Sequence, residues 1–241
     1  MSAAAPPAPP SAAPAAPASE APAAPLAERR RFDNGLEWIQ SLGNVPIHRI
    51  VFDPWPGTAT ETDLLRLVEV EKRLCELIDG TLVEKAVGLH QAGVNLELAT
   101  DLKLWNRQNG DRFIFTGADS TLRMGTVDRI RLPDLCAFHR SRLPNGKLPP
   151  EPVPTISPDL AVEILSPSNT RSEMRQKLGE YFDNGTRLAW LIDPQRRTVA
   201  VYTAATETPD ALLRDGDDLS GGDLLPNFSM PVATLWKETD R

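Results

Sequence analysis

The sequence predicts an α/β protein in which a mixed β-sheet is flanked by helices. Three observations carry that expectation. Two apolar, strand-like runs at residues 131–138 and 159–165 each hold one carboxylate inside or at an edge, Asp134 in the first and Glu163 in the second. Residues 90–109 set Val94, Leu98, Leu102 and Trp105 on one face at helical spacing, with Leu96 and Leu104 beside it. Helix, strands, helix and strand then alternate along the chain, the order of an α/β sandwich.

The elements follow in order. Residues 1–30 are almost entirely Ala and Pro with a few Ser and Glu, a composition that cannot build a core and reads as a disordered tail. It lacks a basic start, and its prolines interrupt any apolar stretch, so it does not read as a secretory signal. Residues 31–60 scatter Phe32, Trp38, Phe52 and Trp55 around a Pro54-Trp-Pro-Gly57 turn and read as an irregular lead-in packed on a domain at 61–241. Residues 60–71 read as a helix opened by a Thr60/Asp63 capping box. Residues 73–85 read as a hairpin across Asp79-Gly80, a strong two-strand turn signal. Asn109-Gly110 ends the 90–109 helix. Strands are expected at 112–116 with a continuation to 123, at 134–138 and at 159–165, the last two joined by a Pro-rich loop. Residues 168–184 read as a second helix, capped through Ser166-Pro-Ser168 and stopped by Gly185, with Met174, Leu178, Tyr181 and Phe182 on its apolar side. Residues 187–193 and 198–202 form a further hairpin, and a polar stretch with a Leu-Pro-Asn-Phe-Ser-Met-Pro segment closes the chain.

Composition narrows the function. The net charge is −7, and the near-neutral tail leaves that acidity in the folded part. A protein that coats DNA draws its affinity from neutralised phosphates and is usually basic, so this role is disfavoured, whereas an enzyme with a local basic cleft is not. Cys75 and Cys136 lack metal-type spacing and read as buried free thiols in a reducing compartment, which predicts a cytoplasmic protein. No run approaches the roughly 18 apolar residues that span a membrane. The histidines are His48, His90 and His139, none beside a serine elbow, so a small-molecule hydrolase finds no nucleophile–base constellation.

The two carboxylates are the sharpest signal. Leu160, Val162, Ile164 and Leu165 surround Glu163, and a carboxylate in an apolar strand is costly unless something pairs with it. On neighbouring strands, Asp134 and Glu163 can hold one divalent cation through oxygen ligands. Lys177, on the following helix, would complete a phosphodiester-cleaving site. The plainer readings are a turn or capping Asp134, a buried Glu163–Lys177 ion pair, and a half-exposed Lys177 that snorkels or pairs with Glu173. His90 reads most simply as a polar helix start. Arg140, Arg142, Arg171 and Arg175 read as scattered surface arginines.

Several pieces together form a specific pattern: Glu76-Leu-Ile-Asp-Gly-Thr-Leu-Val-Glu84, His90 opening a helix, Pro133-Asp134, Glu163-Ile-Leu-Ser-Pro-Ser168, Lys177 with Tyr181, Gly185, and Trp190-Leu-Ile-Asp-Pro194. With them the chain resembles, over roughly residues 61–236, a large bacterial family of restriction-endonuclease-like proteins in the PD-(D/E)xK nuclease superfamily. The resemblance implies a restriction-endonuclease-like mixed sheet flanked by helices, with an added N-terminal hairpin. It implies a metal-dependent DNA endonuclease using Mg²⁺, or Mn²⁺, with Asp134 and Glu163 as metal ligands. Leu165 stands where the signature has its lysine, so the lysine function passes to Lys177. Glu76, Glu84 and His90 match family positions and are additional site candidates. DNA is the implied partner and no membrane is; a homodimer is left open. The competing class is a non-catalytic nucleic-acid or protein-binding module that keeps the nuclease fold.

Overall fold

A computed structural model describes residues 32–86, 88–126 and 128–237; the Ala/Pro tail expected at 1–30 lies outside them. The centre is a six-stranded sheet in the order β10-β9-β8-β7-β6-β3. Its strands are β3 (Phe113–Thr116), β6 (Leu135–His139), β7 (Leu160–Ile164), β8 (Leu188–Asp193), β9 (Thr198–Tyr202) and β10 (Ala211–Leu213). Only β7 and β8 pair in parallel; every other pairing in this sheet is antiparallel. A parallel pair needs a crossover, and helix α4 (Arg171–Asp183) supplies it.

Both faces of this sheet are covered, which is why β7 and β8 read as continuous apolar runs. On one face Val94, Leu98 and Leu102 of α3 (Leu89–Gln108) pack on Leu160, Val162 and Trp190. The exposed Leu96 and Leu104 take no part in that stripe. The hairpin of β11 (Asp218–Gly221) and β12 (Leu225–Pro231), with the 3-10 turn Val232–Trp236, extends the same cluster through Phe228, Leu235 and Trp236. Each fully buried Leu or Phe contributes about 1.5–3 kcal/mol. On the opposite face Met174 and Leu178 of α4 pack on Ala189 and Leu191, while Tyr181 packs with Ala161, Cys136 and Phe138.

A second, four-stranded antiparallel sheet has the order β2-β1-β5-β4. It contains β1 (Cys75–Ile78), β2 (Thr81–Glu84), β4 (Leu122–Arg123) and β5 (Arg129–Arg131). The β1–β2 turn takes positive φ at both Asp79 (47°) and Gly80 (73°), the pair of conformations that Asp-Gly favours. Cys75, Leu77, Leu82 and Ile130 cover one face with Leu64 and Leu67, from helix α2 (Glu61–Leu65) and the π-helical turn that follows it. The Thr60/Asp63 capping box is formed. Cys75 and Cys136 are buried free thiols, and burial pushes the Cys75 thiol up to about 12.

The structure departs from the sequence reading in several places, and the polar C-terminal stretch forms β10, β11 and β12. The strand expected to run from 112 to 123 breaks at a Gly117–Ser120 turn, so β3 joins the large sheet and β4 the small one. Strand β5 was hidden because charged Arg129 and Arg131 flank its one apolar residue. Thr170, not Ser166 or Ser168, caps α4, in a capping box with Glu173. The lead-in is not irregular throughout: Asn34 caps helix α1 (Gly35–Ser41), and Leu42, Val45 and Ile50 pack on Ile78 and Val83.

Gly43 fixes this lead-in against α4. It has φ of 79°, and a Cβ there would stand 2.5 Å from the Glu173 Cα. Its carbonyl accepts hydrogen bonds from the Thr170 and Ser172 hydroxyls at the start of α4. Gly43→Ala should therefore destabilise the protein by about 2 kcal/mol or more, read as a lower midpoint in urea unfolding. An unchanged midpoint would mean that the lead-in contributes nothing to the cooperative unit.

Candidate active site

The residues meet where the two sheets face each other across α4. One stripe of this helix, Glu173, Lys177 and Glu180, follows i, i+4, i+7 spacing and turns toward the small sheet and the lead-in. Lys177 Nζ bridges Glu76 Oε1 of β1 at 2.8 Å and Glu163 Oε1 of β7 at 3.1 Å. Arg131 of β5 holds Glu76 Oε2 at 2.8 Å and both carboxylate oxygens of Glu180, at 2.5 and 2.9 Å. Arg129 adds a bond to Glu180 at 2.8 Å, and Arg49 forks onto Glu173 at 2.9 and 3.0 Å.

Asp134 and Glu163 come to the same face of the large sheet. Leu135 lies opposite Val162, and Asp134 N donates to Val162 O at 2.9 Å, so Asp134 continues the register opposite Glu163. Cys136 and Ala161, two residues along their strands, pack with Tyr181 on the α4 face, and strand alternation puts both carboxylates there too. Asp134 Oδ2 accepts from Ile164 N at 2.6 Å, and Oδ1 pairs with Lys85 Nζ at 2.9 Å. Asn95 of α3 donates to the Asp134 carbonyl at 3.0 Å and Gln91 to the Leu165 carbonyl at 3.1 Å, so the start of α3 borders the site. Tyr181 donates to Glu163 Oε1 at 2.5 Å, while Glu163 Oε2 has no hydrogen bond among the described residues.

Electrostatics separates the acids. Burial pushes the Glu163 carboxyl up; Lys177 and Lys85 oppose this, and Asp134 and Glu76 reinforce it. Glu76 is buried as well, but Lys177 and Arg131 outweigh its desolvation and hold it well below the usual carboxylate range. Burial disfavours the Lys177 charge, yet Glu163 and Glu76 raise its pKa. Burial, with the Glu163 charge, keeps the Tyr181 phenol protonated and therefore a donor.

The structure thus brings together Asp134, Glu163, Lys177 and Glu76. It leaves two candidates out. The Glu84 carboxylate pairs with Arg73 at the edge of the small sheet, on the residue pointing away from Glu76's partners. His90 is exposed in the first turn of α3 and makes no hydrogen bond among the described residues. Lys177 also departs from the half-exposed position expected of it: it is 2% exposed, because the small sheet covers the helix face that would otherwise meet water. Sequence reasoning missed Lys85, Arg131 and Asn95. Arg131 carried a legible signal, a charge inside Ile130-Arg-Leu; Lys85 carried none, since a lysine ending a strand is unremarkable. Among the described residues no three His, Cys, Asp or Glu side chains stand where they could hold a metal.

The mixed sheet flanked by helices is a nuclease-like fold. The chain matches the model of the Uma2 family, described as "putative restriction endonuclease", over residues 62–233, and belongs to that family. Among solved structures it is similar to one titled a putative nuclease belonging to DUF820 from Anabaena variabilis. The identity is 23% and the TM-score 0.58, over 67% of this chain and 89% of that one. No curated protein matches the chain. No helix among the described residues is long and apolar enough to cross a membrane.

Two outcomes follow from this junction. Lys177→Met should cost about 3–5 kcal/mol in urea unfolding, because it leaves Glu76 and Glu163 without their shared cation; a near-neutral change would show that the bridge is dispensable. Glu180 is held below the usual range as Arg131 overcomes its desolvation. A depressed carboxyl contributes stability above its unfolded pKa, about 4.3, and loses it as pH falls through the folded value. Glu180→Gln should therefore flatten the fall in stability below about pH 4.3. An acid limb as steep as that of the wild type would contradict it.

Proposed function

We propose that the protein is a metal-dependent nuclease that hydrolyses phosphodiester bonds in DNA. The observation that carries this reading is the meeting of Asp134 and Glu163 on one face of adjacent strands, with a lysine paired to each. Buried carboxylates that only held the fold together would need no such adjacency, since two like charges side by side cost stability. Family membership supports the same reading.

The donor set suits a hard divalent cation. Asp134 and Glu163 offer carboxylate oxygens, Glu163 Oε2 is uncommitted, and Mg²⁺ or Mn²⁺ needs only one or two carboxylates because it retains waters. Such a cation, when bound, polarises a phosphate and makes bound water more acidic. The chain's own groups do the rest. Ile164 N fixes the Asp134 carboxylate against the β7 backbone. Tyr181 and Lys177 hold Glu163 Oε1 and leave Oε2 turned away from them. Asn95 ties the Asp134 carbonyl to α3, so the two acids keep a fixed relation. Positive groups at the site compensate the charge that develops on a phosphate under attack.

Asp134→Asn and Glu163→Gln should each lower Mg²⁺- or Mn²⁺-dependent cleavage of plasmid and single-stranded DNA by about 100-fold or more. Glu163→Gln should keep the fold, since Gln fills the same volume and its amide oxygen can still accept from Tyr181 and Lys177. No cleavage by the wild type with either metal would favour a binding module instead, which gel-shift with the same DNAs would then detect.

A further inference from the structure

The site holds two lysines, and they are placed differently. Lys177 sits at the back, with partners on two strands of two different sheets. Lys85 directly follows β2, and Gly88, Leu89 and His90 at the start of α3 are exposed. The burial of the partners follows the same gradient: Glu76 is 1% and Lys177 2% exposed, whereas Asp134 is 7% and Lys85 8% exposed. The Asp134–Lys85 side is therefore the less deeply buried of the two.

We propose that Lys85, rather than Lys177, is the catalytic lysine: its ammonium contacts the scissile phosphate, while Lys177 is a positioning residue that orients Glu163. The inference rests on the nuclease reading above. Three observations carry it.

The first is tethering. To reach a substrate, Lys177 would have to leave both Glu76 and Glu163, stranding two buried carboxylates. Lys85 has one carboxylate partner and one carbonyl, Leu132 O at 2.5 Å. The second is competition. Lys85 occupies Asp134 Oδ1, an oxygen of the acid proposed to bind the cation. A divalent cation at Asp134 would compete for that oxygen and repel the ammonium, which would then be released to turn toward a substrate phosphate. Lys177 keeps Glu76 and Arg131 keeps Glu76's other oxygen, so the back of the site does not rearrange. The third is reach. A lysine is a compact charge on a flexible four-carbon stem, and Lys85 stands where the chain leaves regular structure, so its head can move while Ile164 N still holds Asp134.

In hydrolysis a water oxygen bonds to phosphorus and gives its proton to solvent, one P–O ester bond breaks, and the departing oxygen takes a proton from solvent. Lys85 donates a hydrogen bond to a non-bridging oxygen, where charge accumulates.

The test compares wild type, Lys85→Met and Lys85→Arg. Cleavage of DNA in Mn²⁺ is measured under single turnover, Mn²⁺ affinity by calorimetry without DNA, and folding by thermal melt. Lys85→Met should lose about 100-fold or more in cleavage rate yet bind Mn²⁺ at least as tightly as wild type, because the competing ammonium is gone. Lys85→Arg, which keeps the pair with Asp134 and so guards against a folding defect, should retain part of the rate. Wild-type cleavage by Lys85→Met would overturn the assignment and leave the nuclease reading standing. Loss of both Mn²⁺ binding and cleavage in Lys85→Met would overturn it too, since that is what a merely structural lysine predicts. An inactive wild type would bring down the nuclease reading and this assignment together.

Discussion

Lys177 is the residue on which the two halves of the molecule agree. Its ammonium joins a carboxylate of the small sheet, Glu76, to one of the large sheet, Glu163, while its own helix separates the sheets. Removing two carboxylates and an ammonium from water costs several kcal/mol per ion, and only close, multiple pairing offsets it. Arg131, fixed between Glu76 and Glu180, extends the compensation along the same seam. Replacing such a network by apolar residues of the same shape is often neutral or stabilising. The ionic seam makes the packing of the sheets depend on a particular register, because a slip of one residue in β1 or β7 would turn a carboxylate into an apolar core.

That constraint also shapes the chemistry. Glu76 takes up much of the Lys177 charge, so Glu163 is only partly compensated and its carboxyl is pushed up by burial. Asp134 has its own lysine and a backbone donor. Two neighbouring acids therefore differ in environment although both lie on the α4 face of the large sheet. The Glu76–Lys177 side of the junction is covered, and the Asp134 backbone on the other side is tied to the start of α3. Gln91 and Asn95, at the start of α3, tie that helix to the backbone on this side.

The lead-in belongs to the same argument. Its helix and the Gly43 contact bring Arg49 to Glu173, so the first turn of α4 is clamped by a segment far away in sequence. Together with Arg129 and Arg131 near the other end, this leaves each acidic residue of the helix's inner stripe with a basic partner. The exposed Trp55 and Leu36 stand on the outer side of this segment, away from the seam.

The sequence by itself determined the class of fold, the capping box at Thr60, the Asp79-Gly80 hairpin, the α3 core stripe and three of the residues that meet, Asp134, Glu163 and Lys177. These are legible because they depend on local spacing: helical or strand periodicity, a turn dipeptide, or a carboxylate in an apolar run. Tertiary structure decided the rest. Strand β5 exists only because β1 and β4 offer it backbone partners, and α1 only because the small sheet has an apolar face to cover. Lys177 is buried because a second sheet lies over a helix face that periodicity alone would send to solvent. Lys85 enters the site because β2 ends beside Asp134, a residue 49 positions later that meets it only once both sheets are in place. Spacing along a chain cannot show which charges will share a junction; long-range packing sets that.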